Sequence, residues 1–373
     1  MSGLLAHGLG TVPVAPDWPP LTDAEVGDVL GGGPVQVLWR SPRPLSAAAL
    51  VERERLLFVK RHHVSVRTPE GLAEEHAFLN HLREHGAPVV EVLSLTRLGD
   101  WVYEVHTAGT GTDLYQDALS WSPFTSTAHA GAAGAALARL HLAARGYRAP
   151  HRRVQPLVAS FTVFASADPV AELERYVSQR PALAAALDGR PWRTDTERVH
   201  LPLHRRLAPL LDDLEPLWTH NDWHASNLLW ATDGPATEVS VSTVLDFGLS
   251  DRTTAVHDLA TAIERNIVQW LDLPGGTVRV QLDHLDALLA GYTSVRPLTA
   301  AETAALPELL PLVHAEFALS ELDYFHGVIG SADSSRLAYD YYLGHAEWFT
   351  TPDGQALLEH LRRQSAVRCG HHR

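Results

Sequence analysis

The order in which strand-like and helical patterns follow one another is the feature that most constrains the fold of this chain. Roughly the first hundred of its 373 residues contain short apolar runs typical of strands, and nearly all of the remainder shows helical spacing. The strands are predicted at 35–40, 47–51, 56–60, 89–95 and 101–106, with one helix at 68–82. Strands gathered before helices predict an α+β, bilobal fold with a small mixed β-sheet lobe and a larger, mostly helical lobe.

Two domains follow from this pattern. Residues 1–106 are predicted to form the smaller N-lobe and residues 107–373 the helical C-lobe, with the glycine-containing stretch 107–111 as a hinge. A hairpin-like insert is predicted between Leu228 and Phe247 of the C-lobe. The C-lobe helices are predicted at 128–144, 256–271, 279–292, 302–327, 333–349 and 353–363, with two or three more between 170 and 215.

Composition and charge exclude several classes of function. A formal charge of −14 and a pI near 5.8 argue against a protein that binds nucleic acid or anionic membranes, and favour a cationic small-molecule partner. The single cysteine, Cys369, permits no intramolecular disulfide, and no apolar run approaches the about 18 residues of a membrane span. We therefore expect a cytoplasmic protein, either a monomer or a homodimer. The 22 histidines show no HExxH or similar spacing, so no histidine metal site is predicted.

Only one of the 30 basic residues is a lysine, and this residue ends an apolar strand-like run. Lys60 follows Leu56-Leu57-Phe58-Val59, and every other basic position is arginine. A lysine ammonium is a compact charge that the planar guanidinium does not replace, and a strand lysine of this kind commonly holds nucleotide phosphates. The alternative is codon bias toward arginine with one lysine left by chance. Taken alone, Lys60 supports both explanations equally.

A second group of polar residues follows the pattern His-x-Asp-x-x-x-x-Asn. It begins at His220 and is followed by Asp246-Phe247-Gly248 at the end of the apolar run 241–245. Phosphoryl transfer explains each residue type. Asp222 can orient an attacking hydroxyl and accept its proton, while Asn227 and Asp246 can offer oxygens to a divalent cation, with Mg²⁺ as the default ion.

Each of these residues also has a structural explanation. Asp222 could cap a loop, Asn227 could belong to a turn, and Asp246 could end a strand before a glycine turn. Any one of them alone is more often structural than catalytic. Their order and spacing, together with Lys60 upstream, favour the catalytic interpretation.

These residues resemble the aminoglycoside phosphotransferase and choline kinase group, small-molecule kinases with a protein-kinase-like fold. The resemblance extends over roughly residues 35–350 and is most specific in 218–262. It implies that Lys60 contacts the α- and β-phosphates of ATP or GTP and that Glu75 pairs with it, with Glu74 as the neighbouring alternative. It also implies that Asp258, in Val256-His257-Asp258-Leu259-Ala260, anchors the catalytic loop through backbone hydrogen bonds.

Two segments depart from the pattern of this group. The loop expected to cover the phosphates, 41–46, contains two prolines instead of a glycine-rich motif, so Arg43 or serine hydroxyls are expected to replace the missing backbone donors. The hinge contains Thr107 and Gly109, which we expect beside the nucleotide base, but lacks the usual acidic and apolar signature. The choice between ATP and GTP stays open.

Candidate substrate-binding residues lie in the helical half of the chain. Glu264, Glu316 and Asp323 are the selected carboxylates, and their neighbours are Arg265, Glu321 and Tyr324. On a helix, Glu316 and Asp323 share one face, with Glu321 and Tyr324 on the adjacent face. Ordinary helix packing and solvated acidic faces are the competing explanation for all of them.

The sequence therefore predicts transfer of the γ-phosphoryl of ATP or GTP to a hydroxyl of a small, amine-bearing molecule. One version is an antibiotic-modifying phosphotransferase that confers resistance. The other is a metabolic kinase of an amino alcohol, a hydroxy amino acid or a sugar. A catalytically inactive kinase fold is disfavoured because Lys60, Asp222, Asn227 and Asp246 are all present. A protein kinase is disfavoured because too few residues separate Asp246-Phe247-Gly248 from Val256-His257-Asp258 to form a peptide platform.

Overall fold

A five-stranded antiparallel sheet forms the first part of the fold, as the strand-like runs predict. The computed structural model describes residues 16–41, 45, 47–231, 239–275 and 278–370. The strands are β1 (Gln36–Arg40), β2 (Ala47–Glu52), β3 (Leu56–His63), β4 (Val92–Leu98) and β5 (Trp101–Thr107). Their order in the sheet is β1-β2-β3-β5-β4, so β3 is central and has a neighbour on both sides. In this register Lys60 of β3 lies opposite Ala48 of β2 and Glu104 of β5.

Two helices cover this sheet. The short helix α1 (Asp23–Val29) begins with a capping box between Thr22 and Glu25. Helix α2 (Pro69–Glu84) begins at the N-cap Thr68 with proline at its first position, which suits a residue that has no backbone N–H to satisfy. Its buried face carries Leu72, Phe78, Leu79 and Leu82. The same face also carries Glu75 and His76 toward the interior.

Helices and two small β-ribbons form the rest of the fold. The ribbons pair β6 (Pro216–Thr219) with β9 (Asp251–Thr254), and β7 (Leu228–Ala231) with β8 (Ser240–Val244). The second ribbon confirms the predicted hairpin-like insert. The helices are α3 (Thr127–Ala144), α4 (Pro169–Ser178), α5 (Pro181–Leu187), α6 (Trp192–Val199), α7 (Leu201–Leu207), α8 (Ala255–Ile267), α9 (Leu282–Val295), α10 (Ala300–Leu309), α11 (Ala315–Tyr324), α12 (Ala332–Trp348) and α13 (Pro352–Gly370).

Helices α3 and α9 pack closely because glycines remove side chains from their contact. A Cβ on Gly134 would overlap the carbonyl of Leu288, and a Cβ on Gly291 would overlap the backbone of Gly131. This approach brings the buried His141 of α3 to the Tyr292 hydroxyl of α9, with 2.7 Å between Nδ1 and the oxygen. The other nitrogen of His141 is thereby free to reach α8.

The helix boundaries correct two sequence predictions. The single helical stretch predicted at 302–327 is two helices, α10 and α11, and Pro311 lies between them. Proline has no N–H to donate and clashes with the preceding turn, so it interrupts a helix. Between 169 and 207 the chain forms four short helices, rather than two or three. The bilobal α+β class itself is confirmed, and no helix in the described part of the chain is long and apolar enough to cross a membrane.

Candidate active site

The single lysine faces the aspartate of the Asp-Phe-Gly segment. Lys60 Nζ lies 3.2 Å from Asp246 Oδ1, which joins β3 to the loop after β8. Burial alone would lower the pKa of Lys60, but Asp246, Glu104 and Glu75 together raise it well above its ordinary value. Burial would raise the pKa of Asp246, but Lys60 and His220 lower it to about 2. Both groups are therefore charged at neutral pH.

The predicted pairing of Glu75 with Lys60 is not among the ion pairs of the described residues. Glu75 instead lies 3.6 Å from Arg152, and one of its carboxylate oxygens is buried without a hydrogen-bond partner in the described structure. Arg152 also donates to the carbonyl of Gly248 at 2.9 Å, so it links α2 to the loop that carries Asp246. Glu75 affects Lys60 electrostatically, because its charge helps to raise the pKa of Lys60. The alternative Glu74 pairs with Arg153 at 3.0 Å.

Asp258 of α8 anchors the loop between β6 and β7. The Asp258 carboxylate accepts hydrogen bonds from the backbone N–H of His220 at 2.9 Å and of Asn221 at 2.8 Å. His141 Nε2 lies 3.0 Å from the same carboxylate, inside the core. These contacts confirm that Asp258 anchors the loop. The supporting role of His141 depends on the packing of α3 against α9.

His220 holds the same loop from within. Its Nδ1 accepts the N–H of Asp222 at 3.1 Å, and its Nε2 donates to the carbonyl of Leu245 at 2.8 Å. The second bond fixes the proton on Nε2 and ties the loop to the end of β8. His220 therefore positions both Asp222 and the segment leading into Asp246.

Asp222 and Asn227 form one hydrogen-bonded unit at the edge of the site. Asn227 Nδ2 donates to the Asp222 carbonyl at 3.0 Å and to Asp222 Oδ2 at 3.1 Å. Arg265 Nη1 lies 3.0 Å from Asp222 Oδ1. Burial raises the pKa of Asp222, but Arg265 and His224 outweigh burial, so the pKa is lowered and the carboxylate is ionised at neutral pH.

Two residues of this site adopt left-handed backbone conformations. Asn221 has φ of 61° and Asp246 has φ of 56°. Asparagine and aspartate tolerate this region better than other residues with a Cβ, and such conformations concentrate at functional sites. The Asn221 side chain compensates by donating to the carbonyl of Ala159 at 3.0 Å. The turn at Asp246 directs its carboxylate toward Lys60.

The donor atoms that face this cleft are suited to a magnesium ion. Because Asn227 uses its amide nitrogen to bind Asp222, its Oδ1 is the atom left for a ligand, and the described residues place no hydrogen bond on it. Asp246 engages Lys60 through Oδ1 and retains its second oxygen. Carboxylate and amide oxygens are the ligands that Mg²⁺ prefers beside phosphates. The residue types fit the ion.

Arg265 lies between two aromatic rings beside Asp222. Its guanidinium carbon is 4.4 Å from the ring centre of Trp121 and 4.6 Å from that of Phe317. Stacking of this kind holds a guanidinium in a fixed plane and partly offsets its desolvation. The sequence shows Arg265 only as the neighbour of Glu264. Its contact with Asp222 is visible only in the structure.

Glu321 of α11 lies buried near this arginine. Burial raises the pKa of Glu321 to about 8, although Arg265 acts in the opposite direction. Its Oε2 has no hydrogen-bond partner in the described structure, and the same is true of the buried hydroxyl of Tyr341. The charge of Glu321 also raises the pKa of Tyr341, which burial already raises, to about 12. Unpaired buried polar groups are costly, and the charge of Asp222 also acts to raise the pKa of Glu321.

The three carboxylates selected from the sequence for substrate have other partners. Glu316 accepts hydrogen bonds from the backbone N–H groups of Thr162 at 2.9 Å and Val163 at 2.8 Å, so it holds that loop against α11. Glu264 lies 2.8 Å from His345 Nδ1 and is buried. Asp323 is largely buried, which raises its pKa, while Arg180 and a backbone hydrogen bond act to lower it. Each carboxylate therefore has partners within the fold, and its contact with a substrate stays a prediction.

The residues predicted beside the nucleotide base connect the two lobes. Thr107 ends β5, and its hydroxyl accepts the N–H of Glu91 at 3.0 Å. A Cβ on Gly109 would lie 2.6 Å from Leu229 and 2.9 Å from Thr243, so glycine permits the hinge to approach the β7–β8 ribbon. Their contact with a base stays a prediction. Arg43 lies outside the described residues.

Comparison with known proteins identifies the family. A sequence profile described as the phosphotransferase enzyme family matches residues 47–298. The chain is 29% identical to an uncharacterized protein of Deinococcus radiodurans, over 69% of the chain and 68% of that protein. It is 31% identical to a homoserine kinase of Methylobacterium radiotolerans, over 51% of the chain and 50% of that protein. For a homoserine kinase of Gluconacetobacter diazotrophicus the identity is 29%, over 59% and 61%. The chain thus spans about half to two thirds of the length of these relatives.

Solved structures of aminoglycoside phosphotransferases are also similar. One is an aminoglycoside-3'-phosphotransferase of type VIII, with a TM-score of 0.43 and 20% identity, over 70% of this chain and 87% of that one. Another is a Streptomyces rimosus enzyme in complex with ADP and streptomycin, with a TM-score of 0.38 and 15% identity, over 81% and 89%. Because the family profile covers more than half of its residues, the chain belongs to the phosphotransferase enzyme family.

Proposed function

We propose that this kinase transfers the γ-phosphoryl of ATP or GTP to a hydroxyl of a small, amine-bearing molecule. The observation that carries the proposal is the pair formed by Lys60 and Asp246, 3.2 Å apart, beside the hydrogen-bonded unit of Asp222 and Asn227. A compact cation, a metal-binding carboxylate and a carboxylate able to orient a hydroxyl are the groups that phosphoryl transfer requires.

Each residue has one role in this proposal. Lys60 binds the α- and β-phosphates, and Asp222 orients the acceptor hydroxyl and takes its proton. Asp246 and Asn227 hold Mg²⁺, which when bound neutralises charge on the phosphate oxygens. Thr107 and Gly109 flank the base, and Arg43 contacts the phosphates.

The buried side chain of Glu321 supports an acceptor that carries an amine. Glu321 is a buried carboxylate whose Oε2 has no hydrogen-bond partner in the described structure, so an ammonium group would supply the missing donors. An approaching ammonium would favour the ionised form of Glu321, and the two charges would meet where little water screens them. The net charge of −14 adds a weaker, general attraction for cations.

A hydroxy amino acid is the second, narrower candidate. Two relatives that are 29–31% identical are homoserine kinases. Arg265 and Glu321 also bring a cation and an anion to the same region, as recognition of a zwitterion requires. The structural relatives that act on aminoglycosides are more distant in sequence, at 15–20% identity.

Nucleotide consumption with matched acceptors tests both candidates. ADP or GDP release should be measured with homoserine, simple amino alcohols and aminoglycosides, and each active acceptor should be compared with its N-acetyl derivative. We expect an amine-bearing acceptor to be phosphorylated and its N-acetyl derivative to react much more slowly. Mass spectrometry should find the phosphoryl group on a hydroxyl oxygen.

The matched control is Asp222→Asn, which should remove turnover with every acceptor. Equal rates for amines and their N-acetyl derivatives would contradict the amine assignment. Nucleotide binding without transfer to any hydroxyl in the panel would contradict the reaction itself. Expression in a drug-sensitive host separately tests the aminoglycoside version, since resistance should follow only if the drug is the acceptor.

A further inference from the structure

A second cluster of titratable side chains lies in the N-lobe, next to Lys60 but outside the proposed site. Glu104 of β5 is the cross-strand neighbour of Lys60 and is almost completely buried. Three histidines from three elements approach its carboxylate through Nε2. The distances are 2.8 Å from His62 of β3, 2.7 Å from His76 of α2 and 3.1 Å from His106 of β5.

Three of these four groups bring their ligand atoms together. Those of His76, Glu104 and His106 lie within 4.8 Å of one another, and His62 approaches the other oxygen of Glu104. The Nε2 atoms of His76 and His106 both lie beside the same oxygen of Glu104. Ligands about 2 Å from a zinc ion are about 3.3 Å apart in a tetrahedron. The nitrogen–oxygen distances would therefore open by only a few tenths of an ångström.

A second histidine cluster of the described chain, formed by Glu264, His314 and His345, meets the same distance condition. Its two imidazole rings are stacked, with 3.8 Å between their centres and 25° between their planes. Two histidines approach the Glu264 carboxylate, whereas three approach that of Glu104, so the Glu104 cluster is the stronger candidate.

We propose that His76, His106 and Glu104 bind one divalent transition-metal ion, of which zinc matches the donor set best, while His62 holds the other oxygen of Glu104. Two imidazole nitrogens and one carboxylate oxygen, with water in the fourth position, are ligands that zinc accepts in four-coordinate sites. The partly exposed side chain of His62, at 13%, leaves a route from solvent. The site does not depend on the identity of the acceptor or on the transfer reaction.

The ion would connect α2 to the strand beside the phosphate-binding lysine. Glu104 and His106 lie on β5, where Glu104 is the cross-strand neighbour of Lys60, and His76 directly follows Glu75 on α2. A metal bound by all three would fasten α2 to the sheet. Loss of the metal should therefore lower the stability of the N-lobe and weaken nucleotide binding, while the C-lobe contacts of Asp222 remain.

Metal titration of the untagged, full-length protein tests this proposal. Chelator-treated protein should be titrated with Co²⁺ and Zn²⁺ in excess Mg²⁺, which occupies oxygen-rich sites. We expect one equivalent to bind with a Kd in the micromolar range or below, a Co²⁺ visible spectrum typical of four-coordinate nitrogen and oxygen ligands, and a higher Tm. His76→Gln and His106→Gln should each weaken binding at least tenfold.

Two control variants separate this site from other histidines. His345→Gln alters the stacked cluster, and the double change His371→Gln and His372→Gln alters the C-terminal pair. Both should bind the metal like the wild type. Unchanged binding in His76→Gln and His106→Gln, or binding lost in either control, would overturn the assignment.

X-ray absorption on the zinc-loaded wild type gives an answer even if the cluster variants fail to fold. Two imidazole ligands, oxygen ligands and no sulfur are expected at the zinc edge. A zinc–sulfur distance would indicate Cys369 instead, and the absence of stoichiometric binding would leave the four groups as a hydrogen-bonded cluster. Either result would reject the proposal without bearing on phosphoryl transfer.

Discussion

Lys60 Nζ lies 3.2 Å from Asp246 Oδ1, so the only lysine of the chain bridges the central strand of the sheet and the loop that follows β8. Lys60 is largely buried and the Asp246 side chain is 46% exposed, and each charged group shifts the pKa of the other in the direction that preserves its charge. Because these side chains come from the two parts of the fold, their separation depends on how the sheet is placed over the helices.

Replacement of this lysine by arginine tests whether its chemistry is required. In Lys60→Arg we expect an unchanged Tm without ligand and a much smaller nucleotide-induced rise in Tm, because the wider guanidinium cannot act as a compact charge between Asp246 and two phosphates. Thermal shift with and without ATP measures both quantities. The exposed Arg83→Lys exchange is the control and should behave as the wild type. An unchanged ATP-dependent shift and kcat/KM would favour codon bias as the origin of the single lysine.

Asp222→Asn should lower kcat by about 10²–10⁴-fold with little change in nucleotide affinity, since a positioned base contributes about that much. The lowered pKa of Asp222 has a defined consequence for pH dependence. Its carboxylate is ionised throughout the neutral range, and the activity that needs it is lost only as pH falls through that lowered pKa. Steady-state kinetics with Asp212→Asn as an exposed control would check this, and wild-type turnover in Asp222→Asn would refute the role.

The two proposed metal ligands should contribute unequally to Mg²⁺-dependent nucleotide binding. Asp246→Ala and Asn227→Ala should both weaken Mg²⁺-dependent nucleotide binding, and the aspartate change should be the larger because it removes a charge next to the ion and leaves Lys60 unpaired. Calorimetric titration of nucleotide at several Mg²⁺ concentrations measures this. Affinity that does not depend on Mg²⁺ in the wild type would contradict the assignment.

Asp258→Asn should lower kcat, although Asp258 is not proposed to contact the nucleotide or the acceptor. The amide can still accept one backbone hydrogen bond but presents N–H groups to the second, so a buried donor loses its acceptor. A loss of about 1–3 kcal/mol in the free energy of unfolding is expected, together with a lower kcat and a nearly unchanged nucleotide Kd. Denaturant unfolding and kinetics should be measured together. A stability loss with normal kcat would limit Asp258 to a folding role.

The pKa of Glu321, raised to about 8 by burial, predicts how acceptor binding depends on pH. Below that value the carboxyl is neutral, and above it the carboxylate can bind an ammonium, so kcat/KM for the acceptor should rise as pH increases through about 8. Glu321→Gln cannot ionise and should show a low, flat profile over the same range.

The same group affects stability with the opposite sign. Between its ordinary pKa of 4.5 and about 8, the folded protein binds one more proton at Glu321 than the unfolded chain, so stability falls as pH rises. Glu321→Gln should therefore gain Tm relative to the wild type at pH 8 but not at pH 5. The exposed Glu347→Gln should show neither effect. A rise in kcat/KM that persists in Glu321→Gln would assign it to another group.

The sequence by itself determined the order of elements and the catalytic segment. Strand and helix periodicity depends on neighbouring residues, so five strands and the helix α2 could be predicted from local patterns. The spacing from Asp222 to Asn227 is also local, because one short loop carries both residues, and their hydrogen bonds follow from that loop. The helical spacing of 302–327 does not reveal the break between α10 and α11, where Pro311 lies.

Only the tertiary structure decided which buried charges meet. Glu75 pairs with Arg152 rather than with Lys60, and Glu316 binds the backbone of a loop far from it in sequence. Nothing in local spacing distinguishes Arg152 from the other arginines. The three histidines around Glu104 likewise come from separate elements and form no sequence motif. Contacts of this kind form when elements pack against one another. Burial removes the water that would otherwise solvate each charged group, so the group pairs with a residue of another element.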